Sequence, residues 1–489
     1  MTIRQPRALT AAVAAVLTLA CTGTPHIDGA AGTSAAPNTL WAPPAHRENA
    51  APRAAPVPLT LPPDMAARVD SLTLGDVVDL ALRNNPSTRI AWENARAAAA
   101  AYGSAQGQYY PTVDLGVSST TQQGLNSSGG LGARTTISGP TASLTWLVFD
   151  IGGRSGSIAF AKNSLIAADW THNGTIQNVV LQVQTAYFNY VASRALRAAQ
   201  LLTLQEAQTN YQATTERRRQ GLATIADELQ AKTQQSQAQL ALETTEGGIL
   251  TTRGSLANAM GLPANLPYDI AGIPPLQIGV VTDSVDTLIE RAVSARPDLA
   301  AARAEAAAAQ AHVSQVRSAR LPSFEINGSA GHSYYNALVS GNNVYTMNFG
   351  VKIPLFAGFS RAYDQQEAEA QARSATAQVE NVRQQVILEV FSSYYAMQTA
   401  ARRVNTADDL LASASQSAEV ALGRYKAGVG SILDLLTAQS ALADARAQAI
   451  ETRWVWRTAF AQLAHDIGIL DVRGENPLRI AVDSSATRK

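Results

Sequence analysis

Most of this chain is written twice, so its fold must be one that two like units can share. Asn85-Pro86 through Tyr110-Pro111 matches Arg296-Pro297 through Leu321-Pro322 at a spacing of 211 residues. Further along, Phe149 pairs with Phe356, Arg154 with Arg361, Tyr187 with Tyr394, Gly221 with Gly428, Asp227 with Asp434 and Gly261 with Gly468, all 207 apart. The slip of four falls between about 112 and 146, so the first copy has the longer loop there. One offset held across so many pairs is the mark of tandem duplication. The copies cover residues 71–270 and 284–470, with a linker at 271–283 and a tail at 471–489.

Each copy reads the same way. A short helix (Leu72 to Arg83; Val285 to Ala295) stops before Pro86 or Pro297, because the residue before proline is biased away from helical geometry. An Ala-rich helix follows to Tyr109 or Arg320 and is closed by Pro111 or Pro322. The hydrophobic period then changes from 3.6 to 2. Val113, Leu115 and Val117 alternate with Asp114, Gly116 and Ser118, and Ala142, Leu144, Trp146 and Val148 alternate less cleanly with Ser143, Thr145 and Leu147. In copy two, Phe324, Ile326, Gly328 and Ala330 form one side of a strand. Tyr345, Met347, Phe349, Val351 and Ile353 form one side of the next. Each copy therefore holds one hairpin of two strands.

A long helical stretch follows, about 159–219 and about 360–426. At about 1.5 Å per residue it reaches on the order of 90 to 100 Å, several times the width of an ordinary domain. In copy two, Val386, Val390, Ser393, Met397, Ala400, Val404, Ala407, Leu411, Ala414, Ala418, Ala421 and Tyr425 recur in steps of four and three. That is a heptad seam filled mostly with small residues, which lets helix backbones approach closely. At Gly221-Leu222-Ala223-Thr224 and Gly428-Val429-Gly430-Ser431 the helix stops and a second runs back to about Gly261 or Gly468. Glycine supplies the left-handed residue that ends a helix, and Thr224 or Ser431 caps the next.

The amino terminus reads as an address. Arg4 and Arg7 precede an apolar run from Ala8 to Ala20, long enough for a signal-peptide core and too short to cross a bilayer as a helix. Residues 1–20 are therefore expected to be a signal peptide. Cys21, the single cysteine, follows Leu17-Thr18-Leu19-Ala20 in a setting that resembles the lipobox of bacterial lipoproteins, and makes it the expected site of lipid attachment. Residues 21–70, rich in Pro and Ala, read as an extended tether. Lys plus Arg and Asp plus Glu are both 38, which removes the basic footprint of a nucleic-acid binder. One Cys excludes an internal disulfide framework, and no metal, cofactor or catalytic constellation is expected.

Two amphipathic hairpins make four strands of a length that suits a tilted crossing of the hydrocarbon core. Four strands cannot close a barrel, and an open edge in lipid leaves backbone groups unsatisfied. The chain must complete the barrel with copies of itself: eight strands from two, twelve from three, sixteen from four. Trp146, Phe149, Tyr345, Phe356 and Phe359 fall where an aromatic girdle belongs.

The doubled architecture, the junctions Trp146-Leu-Val-Phe-Asp-Ile-Gly-Gly-Arg154 and Ile353-Pro-Leu-Phe-Ala-Gly-Phe-Ser-Arg361, and the tips Gly221 to Leu229 and Tyr425 to Leu436 together resemble the TolC-like outer-membrane efflux proteins of Gram-negative bacteria. The resemblance covers residues 71–470. It implies a mainly α protein with a transmembrane β-barrel: a homotrimer whose twelve-stranded barrel continues into a twelve-helix periplasmic tunnel. Its function would be that of a passive export duct for small molecules or proteins in a tripartite efflux or type I secretion system. The expected partners are a periplasmic adaptor, an inner-membrane pump and outer-membrane lipid. By the same resemblance Gly221, Leu222, Ala223, Thr224, Gly428, Val429, Gly430 and Ser431 are adaptor-docking tips, while Asp227, Tyr425 and Asp434 belong to an entrance gate. Gly430 stands where such gates have an arginine and Thr437 where they have a second aspartate. Asp227 and Asp434 also sit where an acidic residue favours a helix N-terminus, whatever their part in a gate.

Three rivals are weaker. A phosphate-cradling turn at Phe149 to Gly156 lacks the dinucleotide glycine spacing. A periplasmic adaptor lipoprotein would carry one helical hairpin flanked by β-rich domains, whereas this chain has two. A trimeric coiled-coil adhesin is undercut by the helix reversals and the duplication.

Overall fold

The computed structural model describes residues 33–34, 36–41, 71–125, 127–271, 280–281, 283–336, 341–470 and 480–481. The expected signal peptide, Cys21 and most of 21–70 lie outside the described residues. In chain order the elements are α1 (Leu74–Asn84), α2 (Pro86–Gly107), β1 (Thr112–Gln122), β2 (Thr135–Asp150), α3 (Gly153–Arg219), α4 (Ile225–Ala259) and β3 (Val280–Val281). Then follow α5 (Val285–Ala295), α6 (Pro297–Ser318), β4 (Ser323–Tyr335), β5 (Gly341–Lys352), α7 (Ser360–Lys426), α8 (Ile432–Asp466) and β6 (Ile480–Ala481). The duplication holds helix by helix, with 11, 22, 67 and 35 residues in each copy.

The long helix of copy one starts at Gly153, earlier than the apolar pattern alone indicates. Gly152 takes a left-handed φ of 92°, and Arg154 folds back over the strand it follows. Its backbone N–H and Nε donate to the Asp150 carboxylate at 2.7 and 2.9 Å, and its guanidinium donates to the Leu147 and Val148 carbonyls at 2.6 and 2.9 Å. A buried charge held this way locks the strand-to-helix turn. In copy two the position of Asp150 is Ala357, and the turn there uses Gly358 and Phe359, both with positive φ.

Near the sheet the helices lie side by side in the order α2, α3, α6, α7. Farther away the order is α4, α3, α8, α7. The short helices α1 and α5 cover the middle, where Leu80, Val183, Leu256 and Met260 form one core and Leu288, Val390, Trp456 and Leu463 form another. Along α7 every residue of the heptad seam is buried except Leu411 and Ala421, which are half-buried. Alanines at this seam bring α7 and α8 close, so a 67-residue helix is held by many small contacts instead of one large core.

The hairpins join as one antiparallel sheet in the order β1-β2-β4-β5, and β3 pairs separately with β6. The imperfect alternation of β2 has a cause. The register shifts between Leu147 and Phe149, so Phe149, not Val148, takes the next apolar place opposite Phe324.

Candidate functional site

The register gives the sheet two chemically different faces. Directly paired residues share a face, and the pairings run across all four strands. Leu115, Ala142, Ala330 and Tyr345 make one row, and Val113, Leu144, Gly328 and Met347 make the next. Trp146, Ile326 and Phe349 continue the same face. The opposite face carries Asp114, Ser143, Ser329 and Thr346, then Thr112, Thr145, Asn327 and Asn348. Val113, Leu115, Val117, Tyr345, Met347 and Phe349 are all exposed, so no part of the described chain covers the apolar face. Among the described residues, β1 and β5 each pair on one side only. No helix of the described residues is long and apolar enough to cross a membrane.

Four of the expected girdle aromatics gather at the end where strands pass into helices. Trp146 donates its indole N–H to the Tyr109 carbonyl at 3.0 Å, Phe149 is exposed, and Phe356 and Phe359 meet edge to face at 5.4 Å. Tyr345 instead lies mid-strand, opposite Ala330.

At the far end, Gly221 and Gly428 take the left-handed conformation at φ 76° and 77° and end α3 and α7. Thr224 and Asp227 form a reciprocal cap on α4, with the Asp227 carboxylate accepting the Thr224 N–H at 2.8 Å and the Asp227 N–H donating to the Thr224 hydroxyl at 3.2 Å. Ser431 and Asp434 repeat this on α8. Both aspartates are therefore held as capping residues. Leu222 and Val429 are exposed at the tips. A Cβ at Gly430 would press on Arg424 at 3.0 Å, so the glycine lets this turn fold against the last turn of α7.

The structure does not bring Tyr425 onto Asp227. Its ring lies under Arg217 at 4.8 Å, and its buried hydroxyl has no bonding partner among the described residues. Beside it Arg218 pairs with Glu228, which also accepts from Thr215 at 3.1 Å. Arg217 thus ties the end of α3 to the end of α7. The sequence hid it in the run Arg217-Arg218-Arg219, which reads as cations suited to any helix C-terminus.

A second contact escaped the sequence. Residues 33–34 and 36–41 pack against α2 and α3. Ser34 accepts the Trp92 indole N–H at 3.0 Å, Thr33 donates to Asp169 at 2.7 Å, and Trp41 meets Trp170 edge to face at 5.3 Å. His172, fully buried, lies with Nε2 3.1 Å from the Thr39 carbonyl. Burial pulls its pKa below the usual value against the opposing pull of that bond.

A sheet with one apolar and one polar face, set on long paired helices in a duplicated chain, is the architecture of an outer-membrane export channel. The outer membrane efflux protein family matches residues 77–262 and 288–468, and the chain belongs to it. It is 28% identical to protein CyaE of Bordetella pertussis over 447 residues, 90% of this chain and 92% of that one. It is 23% identical to outer membrane protein TolC of Escherichia coli over 408 residues, 78% of this chain and 79% of TolC. Among solved structures, the outer membrane protein VceC of Vibrio cholerae superposes with a TM-score of 0.72 at 20% identity, covering 81% of this chain and 96% of VceC. The family supports the channel reading and not the adaptor.

Proposed function

We propose that three copies of this chain close into a twelve-stranded barrel continued by a twelve-helix tunnel, and that the assembly is the passive outer-membrane duct of a tripartite efflux or secretion system. The observation that carries this reading is the sheet: one apolar face, one polar face and two open edges. In lipid, each open backbone group costs several kcal/mol, so β5 of one chain must pair with β1 of the next. The apolar rows then face hydrocarbon and the polar rows line water. Trp146, Phe149, Phe356 and Phe359 sit at the periplasmic headgroups, Tyr345 faces lipid, and acylated Cys21 adds a lipid anchor.

Energy comes from an inner-membrane pump, coupled through an adaptor that docks on Gly221 to Thr224 and Gly428 to Ser431. Three chains bring the Asp434 carboxylates around one axis, where they favour cations. Tyr425 holds the narrowed tips through the Arg217 guanidinium over its ring, while Asp227 caps the start of α4 beside them. Reconstitution in a planar bilayer tests the reading. Discrete, cation-preferring conductance steps are expected, and a chain that inserts without conducting would overturn it.

A further inference from the structure

The wall of helices is open at α4 and at α7, and each open side carries an unusual surface. On α7, Leu388, Phe391 and Tyr395 share a stripe and are 58%, 48% and 46% exposed. The two rings already meet edge to face at 4.8 Å. On α4, Gly247 and Gly248 stand side by side inside a 35-residue helix. Each weakens the helix by about 1 kcal/mol relative to Ala, yet a Cβ on either would meet nothing within 4 Å. Nothing in the packing of the described residues requires them. Between Leu242 and Leu256, α4 buries no side chain, whereas the same stretch of α8 buries Thr452, Trp456, Phe460 and Ala461.

The duplication says what fits there. Inside the chain, α3 of copy one packs on α8 of copy two. Phe188 stacks on Trp454 with centroids 6.2 Å apart, and Arg457 lies over both rings. The 207-residue offset turns α3 into α7 and α8 into α4: Phe188 becomes Tyr395, Gln184 becomes Phe391, Trp454 becomes Gly247 and Arg457 becomes Leu250. At the internal junction α3 supplies the Phe188 ring and α8 adds Trp454. At the open edge α7 supplies both rings, Tyr395 and Phe391, and the helix opposite is cut back to glycine. Such an exchange lets a large side chain on one helix face a small one on the other, with the sides reversed between the two junctions.

We propose that Phe391 and Tyr395 of α7 dock into the notch at Gly247-Gly248 on α4 of a second copy of this chain. The proposal rests on the ring of copies argued above, and it names the contact that sets the order of chains in the tunnel. Because the notch accepts only a junction of the α7 type, it favours one copy-to-copy arrangement over others.

The test uses the full chain purified in detergent. Tyr395→Cys and Gly247→Cys are introduced together, with each single variant as control, and oxidised. Covalent chain-to-chain ladders in the double variant alone are expected. Gly247→Trp should weaken self-association about tenfold, the size of a single interface contact. Adding Phe391→Gln should restore it by giving the two helices the residues that the internal junction has at these places, Gln on the α3-type helix and Trp on the α8-type helix. If light scattering shows an oligomer but the double variant does not cross-link and Gly247→Trp changes nothing, the notch is wrong and the duct stands. If the wild type shows no oligomer, both readings fall together.

Discussion

Trp41 and Asn173 hold each other twice: the Asn173 side-chain oxygen accepts the Trp41 backbone N–H at 2.7 Å, and its amide donates to the Trp41 carbonyl at 2.8 Å. One side chain on α3 thus satisfies both backbone groups of a residue 132 positions earlier. Asn173→Ala removes both bonds and leaves buried polar groups unpaired, at about 2 kcal/mol. Hydrogen exchange of residues 33–41 should speed up at least about tenfold, while exchange in α8 stays as in the wild type.

The same segment makes the protein sensitive to acid. His172 is neutral in the folded chain, and burial holds its pKa below the value it has when unfolded. The unfolded chain therefore takes up the proton first, so His172's contribution is complete above the unfolded pKa and is lost as pH falls from there through the folded pKa. Melting temperature should fall on acidification from neutral pH. His172→Gln, which keeps a donor for the Thr39 carbonyl, should flatten that dependence; an unchanged slope would contradict the assignment.

Arg154 is the pin of the copy-one junction. Arg154→Ala leaves the Asp150 carboxylate and two strand carbonyls without their partner, a loss of about 3 kcal/mol for a buried pair. Thermal unfolding should occur several degrees lower. Arg154→Lys should not rescue it, because an ammonium cannot span the carboxylate and both carbonyls as the guanidinium fork does.

At the tips, gate and cap can be separated. Arg217→Ala removes the cation over the Tyr425 ring and should raise the resting conductance in a bilayer, as should Tyr425→Leu. Asp434→Asn retains an oxygen for the cap but no charge, so helix stability should change by less than about 1 kcal/mol. Cation preference should nonetheless drop. Loss of stability with unchanged ion preference would leave Asp434 as a cap alone.

What could be read from the sequence was what repeats. The duplication, the strand alternation and the α7 seam each carry many residues bearing the same message, and the structure reproduces them nearly position by position. Single long-range contacts were not readable. Trp41 and Thr39 sit in a proline-rich stretch without periodicity, and their order depends on His172 and Asn173, more than 130 residues away. Arg217 and Tyr425 meet only because two helix ends converge in space. The bulge after Leu147 blurred the alternation of β2, and only its partner strand shows which residue was extra.

Closure of the barrel needs a ring of three chains, and the stoichiometry of the purified particle reports on that ring. The mass of the protein component in detergent, measured by light scattering on the purified full chain, should correspond to three chains per particle. A monodisperse particle of one chain, unchanged on transfer to a lipid bilayer, would mean that no such ring forms.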